Sequence, residues 1–191
     1  MNTDPWQQVT TVNGLPADEV ISALQKTIRR SLTEQAVALA WEMYCTSEAL
    51  EDFAWQRLLV ISVEDVGFGA VEAPVLVSTL ERIRRRFDFS APDRPLFLVH
   101  AVRYLSAQPK DRSSDLLRNI TEEEFRRGRF PEIPDFALDM HTRRGQELGR
   151  GMQHFLTEAS RVEPLSPGSH DVYLARLSDL LAAEPEGPSP E

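Results

Sequence analysis

Cysteine is nearly missing from this chain. Cys45 stands alone among 191 residues, so neither an intrachain disulfide nor a thiolate zinc cluster can form. That usage suits a reducing cytosol, and the place of Cys45 on a helix with Trp41 and Tyr44 predicts a small buried hydrophobe. No run approaches the ~20 apolar residues a membrane helix needs. No basic-then-apolar leader opens the chain, and the expectation is a cytoplasmic, unanchored protein. No G-x-x-x-x-G-K-[ST] motif occurs, which removes the phosphate cradle and with it any basis for nucleotide hydrolysis. Gly67-x-Gly69 follows a helical stretch and lacks a third glycine, so it carries no dinucleotide signal. There is no G-x-S-x-G elbow. No segment alternates with period two and no internal repeat is evident, which excludes a sheet-based fold and a solenoid.

What is present is an ordinary globular composition, 41% apolar and 27% charged. The length is enough for one domain with a full core. The formal net charge of -9 argues against nonspecific binding to a nucleic-acid backbone by the protein as a whole. The charge is uneven. Between residues 118 and 150 the arginines (118, 126, 127, 129, 143, 144, 150) equal the acids (122, 123, 124, 132, 135, 139, 147) in number, so that stretch is neutral.

The most apolar run, Leu58 to Val63, ends in Glu64-Asp65-Val66-Gly67. Apolar nearly all round, it predicts a helix inside a bundle, with two carboxylates at its end that need partners and Gly67 and Gly69 as its stop. The remaining chain reads as helices around this one. Residues 1–14 form an extended arm with Trp6 as its only large apolar group. Pro16 opens a first helix carrying Val20, Leu24 and Ile28, which ends at Arg29-Arg30. Ser31 and Glu34 have capping-box spacing, so a second helix through Ala40, Trp41 and Tyr44 follows as the other arm of a helical hairpin. A third starts near Ser47 and runs into Leu58. A fourth has Pro74 in its first turn and a stripe of Leu76, Leu80, Ile83 and Phe87; Arg82, Arg84, Arg85 and Arg86 at its end read as a solvated face. A fifth, about 95–107, carries two stripes, Phe97/Ala101/Tyr104 and Leu98/Val102/Leu105, and should be deeply buried. A sixth spans about Ser113 to Arg127 with Gly128 as its cap. Between His141 and Arg161 the glycines 145, 149 and 151 predict a short helix, a break and another helix. A last amphipathic helix carries Val172, Tyr173, Leu177 and Leu180. The sequence predicts an all-α fold: one bundle of about eight helices over 15–182 and a disordered acidic tail over 183–191.

The four histidines offer little as ligands. His170-Asp171 has the form of the pair in all-α phosphohydrolases, but only Asp179 follows it before the tail, too little to close a cage. His100, between Val99 and Ala101, reads as a hydrogen-bonded core histidine. His141 and His154 read as capping or packing groups. No cofactor and no metal are expected.

Four segments together resemble a known family. Val20-Ile21-Ser22-Ala23-Leu24-Gln25-Lys26-Thr27-Ile28-Arg29, Ser62-Val63-Glu64-Asp65-Val66-Gly67, Ala101 through Lys110 with Tyr104-Leu105 and Pro109-Lys110, and more loosely Thr142 through Gly151 are similar, in the same order and at compatible spacing, to the C-terminal domain of the RarA/MgsA family. These are replication-associated AAA+ ATPases that include the Werner helicase-interacting protein. The likeness covers about residues 15–160. It implies a helical region like the collar of clamp-loader subunits, which assembles the ATPase into a homotetramer. The family's Ser-Asn after Pro-Lys is replaced by Asp111-Arg112, and its Pro-Thr-Lys region by the more arginine-rich His141-Thr142-Arg143-Arg144-Gly145. The motor and lid have no counterpart, and a stand-alone relative is expected.

The leading reading is therefore a non-enzymatic oligomerisation and interaction module, a homo-oligomer (tetramer) with replication or repair proteins as further partners. One alternative is nucleic-acid binding through the Arg-rich segments 126–129 and 143–150. Another is a metal-dependent all-α hydrolase using Glu64, Asp65 and a histidine. The candidate polar cluster or partner site is Glu64, Asp65, Lys110, Thr142, Arg143, Arg144 and His154, all near helix ends or breaks, with Lys110 and Arg143 or Arg144 expected to answer the two carboxylates.

Overall fold

A computed structural model describes residues 5–168 and 172–182; the expected disordered tail, 183–191, and the pair His170-Asp171 lie outside the described residues. Every regular element described is helical, and the only β-type pairing among these residues is an isolated antiparallel bridge between Thr10 and Pro16. The all-α expectation holds. Among the described residues no helix is long and apolar enough to cross a membrane. The described residues fall into two compact units, one ending at Gly128 and one beginning at Arg129. Gly128, at φ 74°, closes the last helix of the first unit, and Pro131 and Pro134 bar its continuation.

The first unit has six helices: α1 (Ala17–Arg29), α2 (Thr33–Thr46), α3 (Glu48–Ile61), α4 (Ala73–Arg84), α5 (Arg94–Ala107) and α6 (Ser113–Arg126). α1 packs on α2, α2 on α5, and α5 on α4. Val20, Leu24 and Ile28 of α1 are buried as their i, i+4, i+8 spacing requires. The core they enter includes Met43, Leu50, Trp55, Leu58, Leu98 and Leu105. Ser47 caps α3 by accepting the Leu50 N–H at 3.1 Å. The N-terminal residues do more than extend: Pro5–Gln8 form a 3-10 turn, and Trp6 lies 5.0 Å, centroid to centroid, from Phe53.

Several expectations need correction. Cys45 is exposed, because the buried line of α2 runs Ala36, Ala40, Met43 and leaves position 45 on the far side. His100 is exposed for the same geometric reason, two positions past Leu98. Ser31 does not cap α2. It takes a left-handed φ of 58° in the turn, and Leu32 precedes the helix with no side-chain cap. The buried line of α4 is Ala73, Val77 and Arg84, one position round from the apolar stripe read from sequence. Arg84 is thus no part of a solvated face: it is fully buried, its guanidinium 3.1 Å from Glu51 and also bonded to Asp52. Nor is the Leu58–Val63 run buried all round, since Val60 and Val63 are exposed.

The second unit holds a 3-10 turn at Asp135–Ala137 and three helices, α7 (Arg143–Glu147), α8 (Met152–His154) and α9 (Val172–Ala182). α8 continues into a π-helical turn, Phe155–Ala159. Leu138, Gly145 and Leu156 are buried among the described residues of this unit, and α9 buries none.

Candidate functional site

α3 does not end at Ile61. It widens into a π-helical turn, Ser62–Val66, before the Gly67–Gly69 turn. A π-turn adds a residue per turn and rotates the side chains that follow, and such turns recur at functional sites. Here it turns Asp65 fully into the protein and leaves Glu64 at its edge. Gln25 of α1 donates to Asp65 Oδ2 at 2.9 Å, and Arg29 Nε donates to Oδ1. Arg29 also reaches Glu64 at 3.2 Å, and Arg57 stands 4.0 Å from the second Glu64 oxygen. From the start of α6, Arg112 lies 3.5 Å from Asp65 and 3.7 Å from Glu64, and 2.5 Å from Asp115. Its Nε makes no hydrogen bond at that site, so its hold on Asp65 is Coulombic. The bond to Asp65 raises the pKa of Arg29 above its ordinary value.

Lys110 plays another part. Its ammonium donates to the carbonyls of Leu105 (3.0 Å), Ser106 (3.1 Å) and Gln108, closing the C-terminus of α5. Those carbonyls would otherwise lack partners. Burial lowers the Lys110 pKa, and the field of Asp65 opposes that shift. The segment that carries Lys110 is pinned to the π-turn by its backbone: the Asp111 N–H donates to the Asp65 carbonyl at 2.9 Å. Gly67, at φ 50°, meets the Asp111 carbonyl so closely that a Cβ would collide with it, and Gly69 meets the Pro109 carbonyl in the same way. Glycine is required at both places. Two of the four family-like segments are therefore packed backbone to backbone.

The other candidates lie in the second unit. Thr142 caps α7, its hydroxyl accepting the Gly145 N–H at 3.0 Å and donating to the Asp139 carbonyl at 3.1 Å. Arg143 is exposed and stands 3.6 Å from Glu147. Arg144 is exposed and acts on Asp135 only through its field. His154 is half-buried, and its Nδ1 has no hydrogen-bond partner. Arg150, outside the candidate set, clamps Asp135 with two bonds of 2.7 Å and lowers its pKa. His141 does the same for Asp139, 3.0 Å away.

The cations that meet Glu64 and Asp65 in the first unit are Arg29, Arg57 and Arg112, with Lys110 engaged on carbonyls. The first-helix segment had carried Gln25 and Arg29 in plain view; Arg57 and Arg112 had no local signal. A second buried charge group carries no local signal in the sequence. Glu51, fully buried, accepts from Arg84 and, at 3.1 and 2.7 Å, from Arg94. Among the described residues no three of His, Cys, Asp and Glu stand together in a way that could hold a metal ion. The Arg-rich segments are answered by their own neighbours: Arg126 and Arg127 both bind Glu123 at 2.7 and 2.6 Å.

No family model matches the chain. It is similar to replication-associated recombination protein A of Bacillus subtilis (strain 168), with 32% identity over 136 residues, 71% of this chain and 31% of that protein. The chain thus spans about a third of the length of the curated relative it matches. The resemblance carried by the four segments and the similarity over the aligned stretch agree, and over those 136 residues the chain is similar to the RarA family.

Proposed function

We propose that this chain is an oligomerisation and protein-interaction module of a replication or recombination apparatus, assembling with copies of itself as a tetramer in the manner of a clamp-loader collar. The observation that carries the reading is α6. None of its residues is buried, and Leu116, Leu117 and Ile120 are 57%, 63% and 55% exposed. An amphipathic helix with an uncovered apolar stripe is a surface that awaits a partner. The relationship to replication-associated recombination protein A supplies the setting, and the cytoplasm is the compartment such a setting implies. The polar residues at the π-turn then serve the module by holding α6 in place, through Arg112 on Asp65 and the Asp111 N–H on its carbonyl. Light scattering behind a sizing column tests the reading. The expected mass is about four times the 21.6 kDa of one chain; a single-chain mass at tens of micromolar would refute it.

A further inference from the structure

Two helices of the first unit leave an outward stripe uncovered, and the stripes differ in kind. On α4 the line Val75, Thr79, Arg82 follows i, i+4, i+7 and is continued by Arg86 in the turn beyond. Val75 is 69% exposed and Val71, just before the helix, 70%. Arg82 and Arg86 are exposed, and neither has a carboxylate partner among the described residues. This stripe runs from apolar to cationic. On α6 the side turned toward its own unit is polar: Ser114, Asp115 and Arg118 line the grooves beside Val60, Val63 and Glu64. The stripe of Leu116, Leu117 and Ile120 points the other way and leads into Glu122-Glu123-Glu124. It runs from apolar to acidic.

The two stripes also agree in length. Val75 to Arg82 and Leu117 to Glu124 are each seven residues, about 10 Å along a helix axis. Laid side by side in the same direction, they set valine against leucine and arginine against glutamate. Laid in opposite directions, they set each charge against an apolar residue, which costs desolvation with no return. Arg126 and Arg127 fold back on Glu123 of their own helix, and exposed pairs of that kind are weak enough to exchange partners.

We infer that the α4 stripe of one copy receives the α6 stripe of another, in parallel, so that self-assembly is head-to-tail. The inference rests on the reading that the chain self-assembles, and it names the surfaces. A head-to-tail contact uses different patches on the two partners, so each copy keeps one of each open until a ring closes.

Two variants and their mixture test it. Val75→Asp disables the α4 stripe and Leu117→Asp the α6 stripe. Both positions are exposed, so each variant should keep the wild-type helical content, measured by circular dichroism. Each alone should fall to the single-chain mass of 21.6 kDa. Mixed, they should form a one-to-one complex of twice that mass, because one intact stripe of each kind remains. Arg82→Glu should likewise abolish assembly, and adding Glu124→Arg in the same chain should restore it. If the wild type assembles and either Asp variant keeps its mass, or the mixture stays monomeric, the stripes are not the contact, while the proposed function stands. If the wild type is itself monomeric, both fall.

Discussion

Asp65 shows how much one position can be asked to do. Its side chain gathers Gln25, Arg29 and Arg112, and its carbonyl holds Asp111. Asp65→Asn keeps the shape and removes the charge, leaving two guanidinium groups without their shared anion. Losing one partner of a buried pair costs about 3–5 kcal/mol; with Arg29 and Arg112 partly in water, about 2–3 kcal/mol is expected, read as a lower urea midpoint. Lys110→Met should cost less, about 1–2 kcal/mol, since it strips hydrogen bonds from carbonyls at the end of α5 that water can partly replace. If both variants unfold with the wild type, the cluster carries no load. Gly67→Ala faces two obstacles, a left-handed φ and the Asp111 carbonyl; a loss of about 2 kcal/mol or more is expected from the same unfolding curves. Glu51→Ala should be the most damaging change, about 3–5 kcal/mol, because it takes the one fully buried acid from Arg84 and Arg94 and leaves them only Asp52, Glu81 and Glu48, which are more exposed. A near-wild-type midpoint for that variant would show that the buried charges rearrange.

At the scale of elements, the second unit depends on short polar links where the first depends on a core. Between Pro134 and Gly151 the chain is tied by Arg150 to Asp135, by His141 to Asp139, and by the Thr142 cap on α7. Both carboxylates are held below their ordinary value of 3.8, each chiefly by a side-chain hydrogen bond, from Arg150 and from His141. A carboxyl whose folded pKa is depressed contributes stability that is fully present above the unfolded value and is lost as pH falls through the folded one. The loops around α7 should therefore hold at pH 5 and loosen only below about 3.8. Carboxyl-carbon NMR titration checks this directly: Asp135 and Asp139 should titrate below 3.8. Arg150→Met should return Asp135 toward 3.8 and leave Asp139 where it is, because their main partners are separate.

For the whole molecule, the missing phosphate loop sets a clear expectation. No group in the chain can cradle a triphosphate on backbone amides ahead of a lysine, so calorimetric titration with Mg-ATP should give no saturable heat. A micromolar affinity would overturn that expectation. The acidic balance points the same way for nucleic acid. Arg126, Arg127, Arg143 and Arg150 are each paired with a carboxylate of their own segment. Any binding to duplex DNA should therefore be weak and should vanish with moderate salt.

The amino-acid sequence by itself determined that the protein is helical, where most helices start and stop, and which family it resembles, because period, proline, glycine and local motifs are short-range signals. Val20, Leu24 and Ile28 were legible as one buried line, and Gly128 as a stop. Tertiary structure decided the rest. Which face of α4 turns inward was settled by the pull of Glu51 on Arg84, a pairing across 33 positions that no local pattern records. Cys45 and His100 lie outside because neighbouring helices choose one line of each helix and leave the others to water. Asp65 owes its burial to the π-turn, an extra residue in the helix that shifts the phase after Ile61 and cannot be counted from periodicity alone. Arg57 and Arg112 reached Glu64 and Asp65 from distant helices for the same reason: long, flexible cations find their partners only once the chain has brought the backbones together.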